Sequence, residues 1–369
     1  MGSEVILFFY GAVCLSMLAF NIVFSIYLQA GDPRLERKAE KLSAMVGAQL
    51  ERIRAGLPVE QQHLAAINRR LSRVNNLLAF DHVLERLPQQ EPAVERYLRQ
   101  LEPVVLSLAT VYRRRENTQA AYFCYFLAHH RILCQASIGE IQHIVVSFIE
   151  KDSLYCRLNA LKALCLYGNA EIIVDTLLQC DRQSSFLHAK VLVETLLSFS
   201  GDFHTLIDLI WARFDRFSEP MQRALMDYIR FRSGDYGLQM LHILLDEKRD
   251  KELRLSAIHY FKRYPSPDAK PALLRFINDP DPAHWEYAAV SAGALASYQG
   301  EDITAALANA IHSANWYVRY NASSSLEGRG LSYEDLIIRI GGNDRYAREM
   351  LTYQIESRKL VEEKEKIGV

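Results

Sequence analysis

The chain has 369 residues, half of them apolar and 24% charged, with a formal net charge of −1. That composition excludes a disordered chain, and near-neutrality excludes the strongly basic face of a dedicated nucleic-acid binder. Only 17 Gly and 11 Pro interrupt it, which suits long helices. The six cysteines (Cys14, Cys124, Cys134, Cys156, Cys165 and Cys180) form no CxxC pair. Most lie in apolar helical runs, as small buried hydrophobes of a reducing compartment do.

The first element is Val5–Leu28, 24 residues without a charge. As a helix it would rise roughly 36 Å, enough for a ~30 Å hydrocarbon core. The run is too long for a signal peptide and lacks a basic start, which predicts an uncleaved anchor. Arg34, Arg37, Lys38 and Lys41 follow it. By the positive-inside rule the N-terminus lies outside and the rest is cytoplasmic, at an inner membrane. Ala12 and Ser16 make a small-xxx-small face, and Asn21 is an amide in the apolar run. Two readings stand: docking on another transmembrane helix, or a lone anchor whose Asn21 bonds its own backbone. Residues 30–131 carry 16 basic and 11 acidic side chains, and residues 132–369 carry 27 and 32. The basic part would sit beside anionic lipid or a partner's acidic loops.

The next segment carries a helical stripe of Leu35, Leu42, Val46, Leu50 and Ile53, stopped by Gly56-Leu57-Pro58. Further helix-length segments cover about 60–86, 92–113 and 117–132. No strand-like alternation bounded by hairpin turns occurs. The run Arg113-Arg114-Arg115 is either a solvated turn or a contact for lipid headgroups or an acidic partner.

From about residue 138 a repeat emerges. Arg157, Lys190, Arg223, Arg254, Glu286, Arg319 and Arg348 recur at spacings of 33, 33, 31, 32, 33 and 29 residues. Four or five residues upstream stands a helix-capping residue: Asp152, Ser185, Ser218, Asp250, Asp281, Asn315 or Asp344. Three residues downstream stands an apolar and often small one: Ala160, Val193, Met226, Ala257, Ala289, Ala322 or Leu351. A second apolar segment follows in most units. Two helices in 30 to 40 residues mark an α-solenoid, because one pair cannot bury its apolar face alone. The ladder Arg157, Arg223, Arg254, Arg319 and Arg348 would fix repeat register, each stem packing while its head reaches polar groups next door.

The pattern Asp/Asn-x-x-x-Val-Arg-x-x-Ala-x-x-x-Leu, best in Asn315, Val318, Arg319, Ala322 and Leu326, resembles the HEAT repeat family. The resemblance covers roughly residues 138–352 and implies an all-α fold, an α-α superhelix behind the anchor. The expected domains are 1–30 (anchor), 31–135 (helical region), 136–353 (repeats) and 354–369 (charged tail). HEAT proteins with such an anchor look like companions of processive membrane glycosyltransferases. By that resemblance the partner is an integral membrane protein, a polysaccharide synthase being the example.

Chemistry is sparse. HEAT-like deoxyhypusine hydroxylases hold two irons on His-Glu pairs, and none of the 11 His here is followed by Glu. Cys124, His129, His130 and Cys134 cluster, but only His130 and Cys134 share a helix face, and zinc needs three or four converging ligands. They read as satisfied groups of a buried, aromatic-rich helix. HEAT-like DNA glycosylases need a basic groove, which the acidic repeats do not offer. No catalytic, metal or cofactor residue is assigned, and neither nucleic acid nor a small-molecule substrate is expected. Trp316, Tyr317 and Tyr320 are the candidate partner surface, with Tyr298 a further aromatic of that region. The expectation is a non-enzymatic scaffold or accessory subunit. Its rivals are a HEAT-like lyase or hydrolase, and a membrane-recruited adaptor for cytosolic proteins.

Overall fold

The structure, a computed structural model, describes residues 9, 11–21, 33–88, 90–132, 138–182, 187–329, 344–354 and 356. Among them there is helix and no strand. Contacts divide the chain into two compact units, Met1–Thr176 with Ser198–Phe203, and Leu177–Leu197 with His204–Val369.

The expected membrane anchor is corrected. No helix among the described residues is long and apolar enough to cross a membrane. Of Val5–Leu28 the structure describes only residue 9 and the helical residues 11–21, which include Ala12, Ser16 and Asn21, all exposed. Eleven helical residues rise roughly 16 Å, about half a hydrocarbon core. The remainder of that segment lies outside the described residues. The inner-membrane, single-pass placement rested on this span and goes with it.

Unit 1 is built from paired helices. These are α1 (Pro33–Arg54), α2 (Gln61–Leu71), α3 (Val74–Glu85), α4 (Pro92–Gln100), α5 (Glu102–Arg113), α6 (Asn117–His129), α7 (Ile138–Ile149) and α8 (Leu154–Tyr167). The stripe on α1 buries Ala39, Leu42, Val46, Leu50 and Ile53 against α3 and α4. Prolines open α4 and α5 in their first turns, where a missing N–H costs nothing. Helices two apart in sequence pack side by side: α1 on α3, α6 on α8. Gly168 ends α8 in the left-handed region at φ 70°. A Cβ at Gly201 would lie 2.3 Å from the Gly168 carbonyl, so only glycine permits this approach. Ser200 N there donates to Cys165 O at 3.0 Å.

The junction α9 (Ala170–Arg182) leads to the helices of unit 2. They are α10 (Ala189–Leu197), α11 (Phe203–Ala212), α12 (Glu219–Arg232), α13 (Gly237–Leu245), α14 (Lys251–Arg263), α15 (Lys270–Ile277), α16 (Trp285–Leu295), α17 (Glu301–Ala310) and α18 (Trp316–Glu327). Residues 345–354 are helical too. The even-numbered helices α10 to α18 form one stacked row, and α13, α15 and α17 each pack on the helix that follows. This is the two-layer order of helical repeats.

The small residues placed three after the ladder positions are buried, with Ala160, Ala257 and Ala322 at 0% exposure. Their size lets neighbouring helices approach. The capping residues divide. Asp250, Asp281 and Asn315 accept from backbone N–H groups two residues on, and Asp344 accepts from Tyr346 and Ala347 N. Ser153, not Asp152, caps α8. Ser218 makes no cap bond; its hydroxyl donates to Asp181 instead. Ser185 lies outside the described residues.

Candidate functional site

The ladder arginines tie down turns. Arg319 Nη1 donates to the carbonyls of Ser313 (2.7 Å) and Ala314 (3.0 Å). Arg157 Nη1 does the same to Lys151 O at 3.1 Å. Both fasten the turn that precedes their own helix. Reach toward the next pair comes through aromatic faces. The Arg319 guanidinium lies 5.8 Å from the Tyr346 ring centre, and that of Arg254 lies 5.0 Å from Tyr287 and 5.4 Å from Phe276. Arg254 also donates to Leu244 O at 3.1 Å. Arg223 faces Glu252 at 3.6 Å. Arg348 and Lys190 are exposed. Glu286, the acidic exception, pairs with Lys251 at 2.5 Å.

Register between pairs is carried by neutral side chains that composition does not advertise. Asn321 Nδ2 donates to Ala289 O at 2.9 Å, and Ser325 Oγ to Ala292 O at 2.8 Å, 32 and 33 residues back. In unit 1, Asn159 Nδ2 reaches Ala121 O at 3.1 Å, 38 residues back. Asn159 and Asn321 both stand two residues after a ladder arginine, in Arg-x-Asn-Ala. That shared tetrapeptide is the signal by which sequence could have found them.

The N-terminal turn of α18 presents an aromatic surface. Trp316 stacks on Tyr320 (4.9 Å), and Tyr317 stacks on Trp285 (5.5 Å). Trp316 is 48% exposed, Tyr317 57%, Tyr346 68% and Tyr353 56%. Tyr320 is half-buried. Trp316, Arg319, Tyr346, Glu349, Met350 and Tyr353 line a cleft of about 400 Å³. A separate groove of about 610 Å³ has Asp279, Trp285, His312 and Asn315 among its walls. Tyr298 is buried instead, its hydroxyl accepting from Ser266 N at 3.1 Å. In unit 1, Arg113, Arg114 and Arg115 are all exposed, and the Arg115 carbonyl accepts from Lys151 Nζ.

Titratable groups converge where α3 meets the end of α6. Asp81 takes hydrogen bonds from the Tyr122 hydroxyl and from His130 Nε2. The Asp81 and His130 side chains are 6% and 3% exposed. Burial opposes ionisation of Asp81, but the bonds from His130 and Tyr122 outweigh it and hold its carboxyl below the usual range. Burial, then the bond to Asp81, pushes the Tyr122 hydroxyl up. His129, 41% exposed, lies 3.5 Å from Glu85 Oε1 and stacks on Tyr125. Asp81, His129 and His130 offer ligand atoms within 4.8 Å of one another. The chain leaves α6 through Arg131 at φ 47°, a left-handed conformation that costs a non-glycine residue about 1 kcal/mol. Cys124 is turned away from this cluster, fully buried against Cys156, and burial pushes its thiol up. Cys134 lies outside the described residues. The carboxylate partner of the two histidines, Asp81, stands 48 and 49 residues upstream, so no local motif announces it.

No curated protein matches the chain significantly. The family model for HEAT repeats matches residues 238–327, from α13 through the last residue of α18. The match covers 90 of the 369 residues, and the two-layer helical order of that stretch agrees with it.

Proposed function

We propose that the C-terminal repeats bind a partner protein through the aromatic surface of α18 and residues 345–354. The observation that carries this reading is the exposure of Trp316, Tyr317, Tyr346 and Tyr353 on helices whose starts are pinned by Asn315 and Asp344. Large rigid rings lose little entropy on binding and are favoured anchors of interfaces. Arg319 and Glu349 border the cleft, and Glu349 pairs with Arg345 at 2.6 Å. The occupant is a protein segment whose apolar side chain seats among the rings while a neighbouring polar group meets Arg319. The narrower expectation, a companion of a processive membrane glycosyltransferase, leaned on the resemblance of the Trp316–Ala322 repeat and on the anchor; nothing in the aromatic patch speaks for a sugar-polymer synthase over another protein.

The test is retention of partners from native extract by the full chain and by Trp316→Ala/Tyr346→Ala. The recovered partner is then purified and titrated against both, with tryptophan fluorescence as the readout. Loss of roughly tenfold or more in affinity is expected. Equal retention of every partner by the variant would sink the reading.

An enzymatic reading would draw on the Asp81 cluster, the converging titratable set described above. Asp81 and His130 are closed on each other and almost fully buried, which leaves His129 and Glu85 alone to meet a substrate. The scaffold reading is the better supported.

A further inference from the structure

We propose that Asp81, His129 and His130 form a binding site for a zinc-class divalent cation at the α3–α6 junction. A buried Asp–His–Tyr network by itself needs only Asp81, His130 and Tyr122. His129 is superfluous to it. Yet its ring offers a ligand atom within 4.8 Å of those of Asp81 and His130. Two imidazoles and a carboxylate are the donor set that zinc takes in sites with one open position.

The surroundings fit that role. Tyr122 holds the second oxygen of Asp81, which orients the carboxylate as outer-shell donors do. Glu85 follows Asp81 by one helical turn and lies 3.5 Å from His129. It either fills the fourth position or steadies the imidazole. Glu85, Glu95, His129 and His130 line a cleft of about 570 Å³, which gives an ion a way in. Arg131 also borders this cleft; of its two glutamates Glu95 pairs with Arg99, which leaves Glu85 facing His129. Metal–ligand bonds of ~2.0–2.1 Å require donors about 3.3 Å apart. The His129 ring therefore has to swing inward by one to two ångströms, roughly, from its exposed position. On binding, the proton between His130 Nε2 and Asp81 Oδ1 leaves to solvent and the cation takes its place.

The experiment is titration of the purified full chain with zinc chloride against a chromophoric chelator, with circular dichroism as a check on folding. One equivalent bound at micromolar affinity or tighter is expected, weakening as pH is lowered because protons compete. His129→Ala, on an exposed side chain, should lose at least about tenfold in affinity with the fold intact. His204→Ala, an exposed histidine elsewhere, should change nothing. Asp81→Asn disturbs a buried network, so the exposed His129 carries the test. Failure to bind one equivalent, or equal binding by His129→Ala, overturns the proposal.

Discussion

One helix contact in each unit shows two ways of joining, although unit 1 also has a neutral donor in Asn159 between α6 and α8. In unit 1 the α3–α6 contact turns on a buried ionisable set, Asp81 with His130 and Tyr122. In unit 2 the α16–α18 contact turns on Asn321 and Ser325 donating to the carbonyls of Ala289 and Ala292, with charges confined to the rims. A buried charge is costly unless every partner is in place. A neutral donor on a carbonyl is a modest, separable contribution. The N-terminal junction thus depends on every partner being in place, whereas the C-terminal rows are joined by small additive steps.

The largest expected effect breaks the first of these. Asp81→Ala strands His130 and Tyr122 without their acceptor and should cost about 3 kcal/mol, read by denaturant unfolding. Hydrogen exchange should quicken in α3 and α6 and stay unchanged in α16 and α18. Ser325→Ala is the matching cut in unit 2. It should cost about 1 kcal/mol, with Asn321→Ala adding a similar amount. A loss at Ser325 as large as that at Asp81 would erase the distinction.

The difference in legibility follows the same division. The repeat in unit 2 was readable because its signals are local: a cap at Asn315, Arg319 four residues on, Ala322 three beyond. The same signals return at near-constant spacing along the chain. Asn321 and Ser325 escaped notice because amide and hydroxyl side chains at helix interiors look like solvated surface until the neighbouring helix is placed. In unit 1 the ionisable knot joins residues 41 to 49 apart without a recurring motif. His129 and His130 were singled out, but Asp81 was not. The hydropathy of Val5–Leu28 was real, yet apolarity alone does not decide what covers a segment, and the anchor drawn from it did not stand.

Acid should act on unit 1, which sharpens the contrast. Burial holds His63 below the ordinary imidazole value of 6.5. Below pH 6.5 the unfolded chain takes up a proton there that the folded chain refuses. The contribution of His63 is complete above 6.5 and is lost as pH falls toward the folded value. The unfolding midpoint should therefore drop between pH 7 and pH 5.5, roughly, and the drop should flatten in His63→Gln. Asp81 has the usual carboxylate behaviour: its contribution holds above 3.8 and fades as pH falls through its lower folded value. Acid sensitivity that survives His63→Gln near pH 6 would point to groups beyond this one.

The smallest effect concerns the rim of unit 2. Lys251 and Glu286 join neighbouring repeats at 2.5 Å but remain in contact with solvent, where pairing energy is largely offset by side-chain ordering and screened by salt. Glu286→Lys leaves two cations facing each other and should lower the melting midpoint slightly at low ionic strength. Adding Lys251→Glu should restore it, and about 1 M salt should hide the loss in the single variant. Because register here is set by Asn321 and Ser325 beneath the surface, reversing the rim charges should leave the exchange protection of α16 and α18 unchanged. If the single reversal instead loosened both helices and salt failed to mask it, the rim would be setting register, and the neutral donors would be following it.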